Sequence, residues 1–287
     1  MATSTRATIS RYAPLFKSLQ TGLLLLTGLA GYMSARCPIF NVFTVLSVAG
    51  SLFLAISGST ILNMWYDRDI DARMERTAGR PIPSGQVSPV GALRLGLLLS
   101  VIGVAWAVAM DPLYGAIVFA GLFFDVVVYT IWLKRRTPWS IVWGGLAGGM
   151  PILAGRALGM GQVEWVGGAL ALAVLFWIPT HILTFAARYH EDYRRAGVPT
   201  GPAVYGFAAN RAIIAVSSIM AAVMMGIAAF GIGLEVGYLR VIAVLSTGLL
   251  VLAIRSLVRP SERINFGLFK YASLYMLGTM LLMMLVQ

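Results

Sequence analysis

Two short acidic runs hold most of the side chains in this sequence that can do chemistry. The first reads Asn63-Met-Trp-Tyr-Asp67-Arg-Asp69-Ile-Asp71-Ala-Arg73. Asn63, Asp67 and Asp71 are four residues apart, so on one helix their oxygens stack on a single face about a turn apart, with Asp69 on roughly the opposite side. Mg²⁺ accepts a few hard oxygens of this kind, typically one or two carboxylates, and leaves its other positions to water and substrate phosphate. The expectation is a metal-diphosphate site with Asn63, Asp67 and Asp71 as ligands and both aspartates catalytic. The second run, Arg188-Tyr-His190-Glu191-Asp192-Tyr193-Arg194-Arg195-Ala-Gly197-Val-Pro199, puts two carboxylates side by side. On a helix, Glu191 and Asp192 diverge by about 100°, so one can bind metal directly while the other holds a water or a base. Facing the first run across a bundle, the pair would let two Mg²⁺ share one diphosphate, with Asp192 counted among the catalytic groups.

Arginines follow both runs. Arg73, Arg76 and Arg80 lie in the turn-rich stretch ARMERTAGRPIPSG, Lys134-Arg135-Arg136 forms a third basic group, and Arg188 opens the second run. Arginine offers forked donors that match phosphate oxygens. Any one of these bases equally well serves as a solvated residue beside a membrane, but that reading gives no reason for three oxygens in four-residue register.

The elements that must position these groups follow from composition. The chain has 287 residues, 59% hydrophobic and 11% charged, with mean hydropathy +0.82; a soluble domain carries about 25% charged residues. A water-soluble globule and a disordered chain are both excluded. Nine apolar windows approach the roughly 20 residues that span a bilayer: Phe16–Ala35, Val42–Met64, Val90–Met110, Leu113–Leu133, Trp139–Ala157, Val166–Ala187, Ala212–Ile232, Tyr238–Val258 and Phe266–Gln287. The expected fold is all-α, a polytopic membrane bundle of nine transmembrane helices. It forms one domain over 1–287, with a tail at 1–15 and active-site loops at about 65–89, 134–138 and 188–211. The fifth window is crowded with Gly144, Gly145, Gly148, Gly149, Pro151 and Gly155, small residues that let membrane helices approach closely.

The formal charge of +11 would suggest nucleic acid in a soluble protein; in a membrane protein it reports orientation, and no nucleic-acid partner is expected. Counting from the nine windows, 18 of the 22 Lys and Arg fall on one side, with Arg36, Arg94, Arg156 and Arg240 left over. The positive-inside rule then puts the N-terminus in the cytoplasm and the C-terminus outside, as suits a multi-pass protein of the plasma membrane. Seven of the 11 acids share the cytoplasmic side, six of them in two loops at helix ends: five in the two runs above, and Glu75 just after the first. The N-terminal stretch MATSTRATISRY has no cleavage motif and reads as a cytoplasmic tail. The one cysteine, Cys37, excludes an internal disulfide and reads as a bland residue near a helix end.

Three single residues stand inside the windows. His181 follows Pro179, and an ionisable group at membrane depth is a functional candidate by default, although a neutral, hydrogen-bonded core histidine accounts for it equally well. His190 reads as solvent-facing. Asp125 should face the interior and pair there with an Arg or a polar group; Tyr129, one turn on, should share its face and line the cavity.

The runs NMWYDRDID (63–71), RTAGRPIPSG (76–85), KRRTP (134–138), 144–151 and DYRRAGVP (192–199) resemble the UbiA-type intramembrane prenyltransferases. DYRRAGVP and KRRTPW look like the heme O synthase branch, the protoheme IX farnesyltransferases. The resemblance covers the chain from the second window to the loop after the sixth. It implies a nine-helix bundle with a Mg²⁺-dependent site on the cytoplasmic side, farnesyl diphosphate as donor and heme B as acceptor, and it favours a role for His181 in ligating heme iron or orienting the porphyrin. It also implies handover of the product to a downstream heme-modifying membrane enzyme. A flat, dianionic porphyrin needs a slot and a cationic rim; 144–155 is expected to open the slot, and Lys134, Arg135 and Arg136 to form the rim. Where the family usually shows a Lys-Pro-Arg run, this chain has Phe16-Lys17-Ser18-Leu19-Gln20-Thr21, in which Lys17 keeps the first position. The alternatives are a UbiA-type enzyme with an aromatic or lipid acceptor such as 4-hydroxybenzoate, and a transporter. A transporter would place its coupling charges near the midplane rather than at one membrane face.

Overall fold

The computed structural model describes residues 12–35 and 41–285. Arg6, Arg11, Arg36, Cys37 and most of the 1–15 tail lie outside the described residues. Nine long helices are present among the described residues, and no strand: α1 (Ser18–Ser34), α2 (Val42–Tyr66), α3 (Pro89–Met110), α4 (Pro112–Leu133), α5 (Ser140–Met160), α6 (Trp165–Arg188), α7 (Gly201–Ile232), α8 (Val236–Val258) and α9 (Glu262–Leu285). The last eight are long and apolar enough to cross a membrane; α1 has 17 residues.

Side-chain acceptors set several helix starts by satisfying orphan amides of the first turn. Asn41 Oδ1 accepts from the Phe43 amide at 2.9 Å at the head of α2. Ser88 and Asp111 do the same for α3 and α4 and are each followed by proline, whose fixed φ suits the first helical position.

Two groups of helices pack on either side of α1 and α5. On one side α2 lies against α3 and α3 against α4; on the other α7 and α9 pack on α6, and α8 packs on α7 and α9. Between them α1 crosses α5, and this contact depends on glycine: a Cβ on Gly155 would strike the Gly28 carbonyl oxygen, and one on Gly31 the Ile152 carbonyl. At the end of this seam remote from the acidic runs, Arg156 is almost fully buried. Its Nε donates to Glu164 Oε1 at 2.5 Å and its Nη1 to the Ser34 carbonyl at 2.7 Å, tying α1, α5 and the first turn of α6 together. Glu164 also caps α6 through the Val166 and Gly167 amides, and although burial opposes it, the Arg156 guanidinium holds its carboxyl below the usual range.

Three sequence expectations change. The loops at about 65–89 and 188–211 contain helix: Arg68–Asp71, His190–Arg195 and the first turns of α7, which begins 11 residues before its apolar window and breaks at Gly206 with φ 79°. Periodicity of apolar residues could not reveal these turns because they are polar. The glycines of α5 open no slot. Leu175 and Ala171 carbonyls would lie 3.1 and 2.8 Å from a Cβ on Gly145 and Gly149, and the Ile178 side chain fills the space at Gly148. Finally, the second half of α4, Phe124–Leu133, is wound as a π-helix, with Lys134 N bonding Tyr129 O at 2.8 Å. In this winding Thr130 and Lys134 face α2 together with Asp125, and Tyr129 stays beside them with its ring under the Lys134 ammonium at 5.6 Å.

Candidate active site

The site begins as a polar ladder between α2 and α4. Ser59, Asn63 and Asp67 extend one four-residue row along α2, and the π-helical turn of α4 sets Asp125, Thr130 and Lys134 against them. Asp125 Oδ2 accepts from Ser59 Oγ and from Asn63 Nδ2, the latter at 2.8 Å. Thr130 Oγ1 donates to Asn63 Oδ1 at 2.9 Å, and Lys134 Nζ is bonded to Asp67 Oδ2. Ser59 and Thr130 escaped the sequence reading; the visible signal was Ser59 sitting one step before Asn63 in the row. Asp125 finds polar partners rather than an arginine.

Beyond the last turn of α2 the row continues almost unbroken, since Asp67 N bonds Asn63 O at 2.9 Å and Asp71 N bonds Asp67 O at 2.8 Å. Asp67 and Asp71 are buried, at 3% and 4% exposure, and buried charges must be paired. Arg80 answers Asp71, its Nη1 2.7 Å from Oδ2, and Thr77 fixes the turn by bonding the Asp71 carbonyl at 2.8 Å. Burial works against the Lys134 ammonium, but Tyr129 and Asp67 raise its pKa above the ordinary lysine value. Arg135 forks onto Asp69 at 2.6 and 2.8 Å, on the exposed side of the loop, and its hydrogen bonds hold the Asp69 carboxyl below the usual range.

Lys17 enters from the head of α1 with φ 40° and ψ 58°, a left-handed conformation that is rare for a residue with a side chain. Burial, then repulsion from Arg80 and Lys134, lowers its pKa to about 8. It forms no ion pair among the described residues and lies in the field of the same groups that surround the two aspartates.

The second acidic run meets the first through apolar contact. Ile70 and Met74 pack with Ala196, Val198 and Tyr193 in a small separate core. Arg76 crosses to lie 4.9 Å over the Phe185 ring and 5.5 Å over Tyr189. Asp192 is half-buried. Glu191, expected as a metal ligand, is exposed, and Arg194 engages its carboxylate at 2.8 and 3.0 Å. Arg73 is exposed at the start of the Pro/Gly loop. His190 is not solvent-facing as expected: it is half-buried with its ring 5.3 Å from Phe207.

His181 lies some two helical turns deeper, clasped between Trp177 at 4.9 Å and Phe269 at 4.4 Å, with Ser273 Oγ 3.2 Å from Nδ1. Ser273 Oγ also lies 3.1 Å from the Phe269 carbonyl, and with its proton directed there it accepts from Nδ1–H, the tautomer that leaves the Nε2 lone pair free. Around it Phe185, Tyr189, Phe266 and Phe269 form a continuous aromatic wall between α6 and α9. Arg188 lies 3.9 Å over Phe266 and Lys270 4.7 Å, neither in an ion pair among the described residues. By contrast, Lys134 and Arg135 of the expected porphyrin rim are already committed to Asp67 and Asp69.

Among the described residues, no three His, Cys, Asp or Glu side chains gather as a ready-made metal cage. The donor set nevertheless suits Mg²⁺, which needs only one or two carboxylates when phosphate supplies the rest. Asp67 Oδ1 is buried without a hydrogen-bond partner, with Arg135 Nη2 3.8 Å away. A buried anionic oxygen left so is an open position for a cation.

Known proteins resemble this chain in sequence and in fold. The model of the UbiA prenyltransferase family matches residues 24–274. A protoheme IX farnesyltransferase of Pyrobaculum arsenaticum is 44% identical over 253 residues, covering 85% of this chain and 90% of that protein. One from Pyrobaculum neutrophilum is 38% identical, covering 91% and 94%. Among solved structures, a UbiA homolog from Archaeoglobus fulgidus bound to GPP and Mg²⁺ superposes with a TM-score of 0.71 at 17% identity, over 96% of this chain and all of that one. A structure described as digeranylgeranylglyceryl phosphate synthase reaches 0.80 at 17% identity, over 97% and 98%.

Proposed function

The chain belongs to the UbiA prenyltransferase family, and from that premise we propose that it transfers the farnesyl group of farnesyl diphosphate to a vinyl group of protoheme IX, giving heme O, in one catalytic domain spanning the chain. The observation that carries this reading is the pair of buried aspartates, Asp71 paired with Arg80 and Asp67 with Lys134 and, at 3.8 Å, Arg135, beside an Asp67 oxygen that accepts no hydrogen bond. Asn63, Asp67 and Asp71, with Asp192 from the facing run, would hold Mg²⁺; bound Mg²⁺ neutralises the diphosphate as it departs. Lys17, Arg80, Lys134 and Arg135, which lie near the two aspartates, and Arg76 beside the facing run would bind its phosphate oxygens. The allylic C–O bond breaks with its electron pair leaving on diphosphate. The farnesyl C1 then joins the terminal vinyl carbon, and water adds to the inner carbon with loss of a proton. The apolar bundle keeps water from the farnesyl cation until then.

The acceptor belongs, in this reading, against the aromatic wall between α6 and α9, where flat rings stack, Arg188 takes a propionate and His181 Nε2 faces the iron. The site end of the bundle faces the cytoplasm of a plasma membrane, with the C-terminus outside, and the product passes within the bilayer to a heme-modifying membrane enzyme. The test is direct: purified protein with heme B, farnesyl diphosphate and Mg²⁺ yields hydroxyethylfarnesyl heme by mass, and His181→Ala weakens heme binding more than diphosphate binding. Prenylation of 4-hydroxybenzoate with heme ignored would replace the acceptor and keep the enzyme class.

A further inference from the structure

Asp125 is the one carboxylate of the α2–α4 contact without a cation. Asp67, Asp69 and Asp71 each have a lysine or arginine within 4.0 Å, whereas Asp125 has only Ser59 and Asn63. It lies at the level of Asn63, one turn below Asp67, or about 6 Å deeper at 1.5 Å per residue. A carboxylate at this depth is costly, and a purely structural hydrogen bond needs no charge.

The partner explains what the charge does. An asparagine amide has a donor end and an acceptor end that are nearly the same in shape, and only its neighbours decide which way it points. Thr130 decides nothing, because a hydroxyl donates or accepts equally well. A carboxylate only accepts, so Asp125 must take the Nδ2 end, and Oδ1 is turned to Thr130 with a second lone pair still available. The π-helical winding of α4 is what brings Asp125 and Thr130 to the same amide.

We infer that Asp125 is a positioning residue: it locks the Asn63 amide with its oxygen, and not its nitrogen, presented to the cation that accompanies the diphosphate. The inference rests on the proposed metal-diphosphate site.

Binding of Mn²⁺ in the presence of inorganic pyrophosphate, followed by electron paramagnetic resonance on the detergent-solubilised full chain, tests it without turnover. If the unmodified protein binds no Mn²⁺, the site itself is wrong. Granted binding, Asp125→Asn keeps the shape but lets the facing amides flip together, and should weaken Mn²⁺ about tenfold. Thr130→Val should stay within about twofold. Asn63→Ala should weaken binding, and adding Asp125→Asn to it should change nothing further, since coupled residues fail to add when one acts through the other. Unaltered binding in Asp125→Asn, or full additivity in the double variant, overturns the role.

Discussion

Asp67 and Asp71 owe their burial to Lys134 and Arg80, so function and stability are coupled at these positions. Asp67→Ala and Asp71→Ala should each abolish Mg²⁺-dependent turnover in protein that still folds, with a melting temperature in detergent lowered by the cation left unpaired; full activity in either would remove the metal assignment. Lys17 adds a pH dependence. Its pKa is lowered to about 8 by burial and by its cationic neighbours, so it is charged below that pH and neutral above it. Affinity for farnesyl diphosphate should therefore fall as pH rises through about 8, and Lys17→Met should flatten that limb of the profile. The acids and bases of the site were legible in sequence because their spacing is local. The pairing of Lys134 with Asp67 was not, since 67 residues separate them and only the meeting of α2 with α4 joins them.

Helices were legible where apolar residues run long, as in α2, α3 and α8, and illegible where the backbone departs from α geometry or the turns are polar. Nothing in Phe124–Leu133 marks a π-helix, because its residues are as apolar as those of an α-helical span; its register is set by the polar rungs across from it. The glycines of α5 were legible as small, but not their purpose: neighbouring helices fill the space, so they serve contact rather than a ligand slot. Gly155→Ala should accordingly lower the melting temperature of the solubilised protein, since its Cβ meets the backbone of α1 rather than a yielding side chain, at a cost of about 1–3 kcal/mol typical of overpacking. Gly168→Ala, with open space at its Cβ, is the matched control and should leave the melting temperature unchanged.

At the scale of the molecule, the C-terminal ends of α2, α4 and α6 and the head of α1 converge on one membrane face. A reporter fused after Gln287 should lie outside the cytoplasm and one inserted after Gly85 inside it; the reverse result would remove both the nine-span topology and the cytoplasmic site. The bundle is joined differently at its two ends. Far from the site, Arg156 binds Glu164 and Ser34 in a buried, charge-assisted knot that ties α1, α5 and the head of α6; near the site, the short helices after α2 and α6 meet through Ile70, Met74, Ala196 and Val198, with Arg76 over the Phe185 and Tyr189 rings. The site end should therefore be the looser of the two. Spin labels on Ser84 and Arg195 should report a wide spread of distances that narrows when Mg²⁺ and diphosphate bind. Such a spread at the site end would admit a long-tailed donor sideways from the lipid, its head gripped first and released last, while the Arg156 knot stays closed.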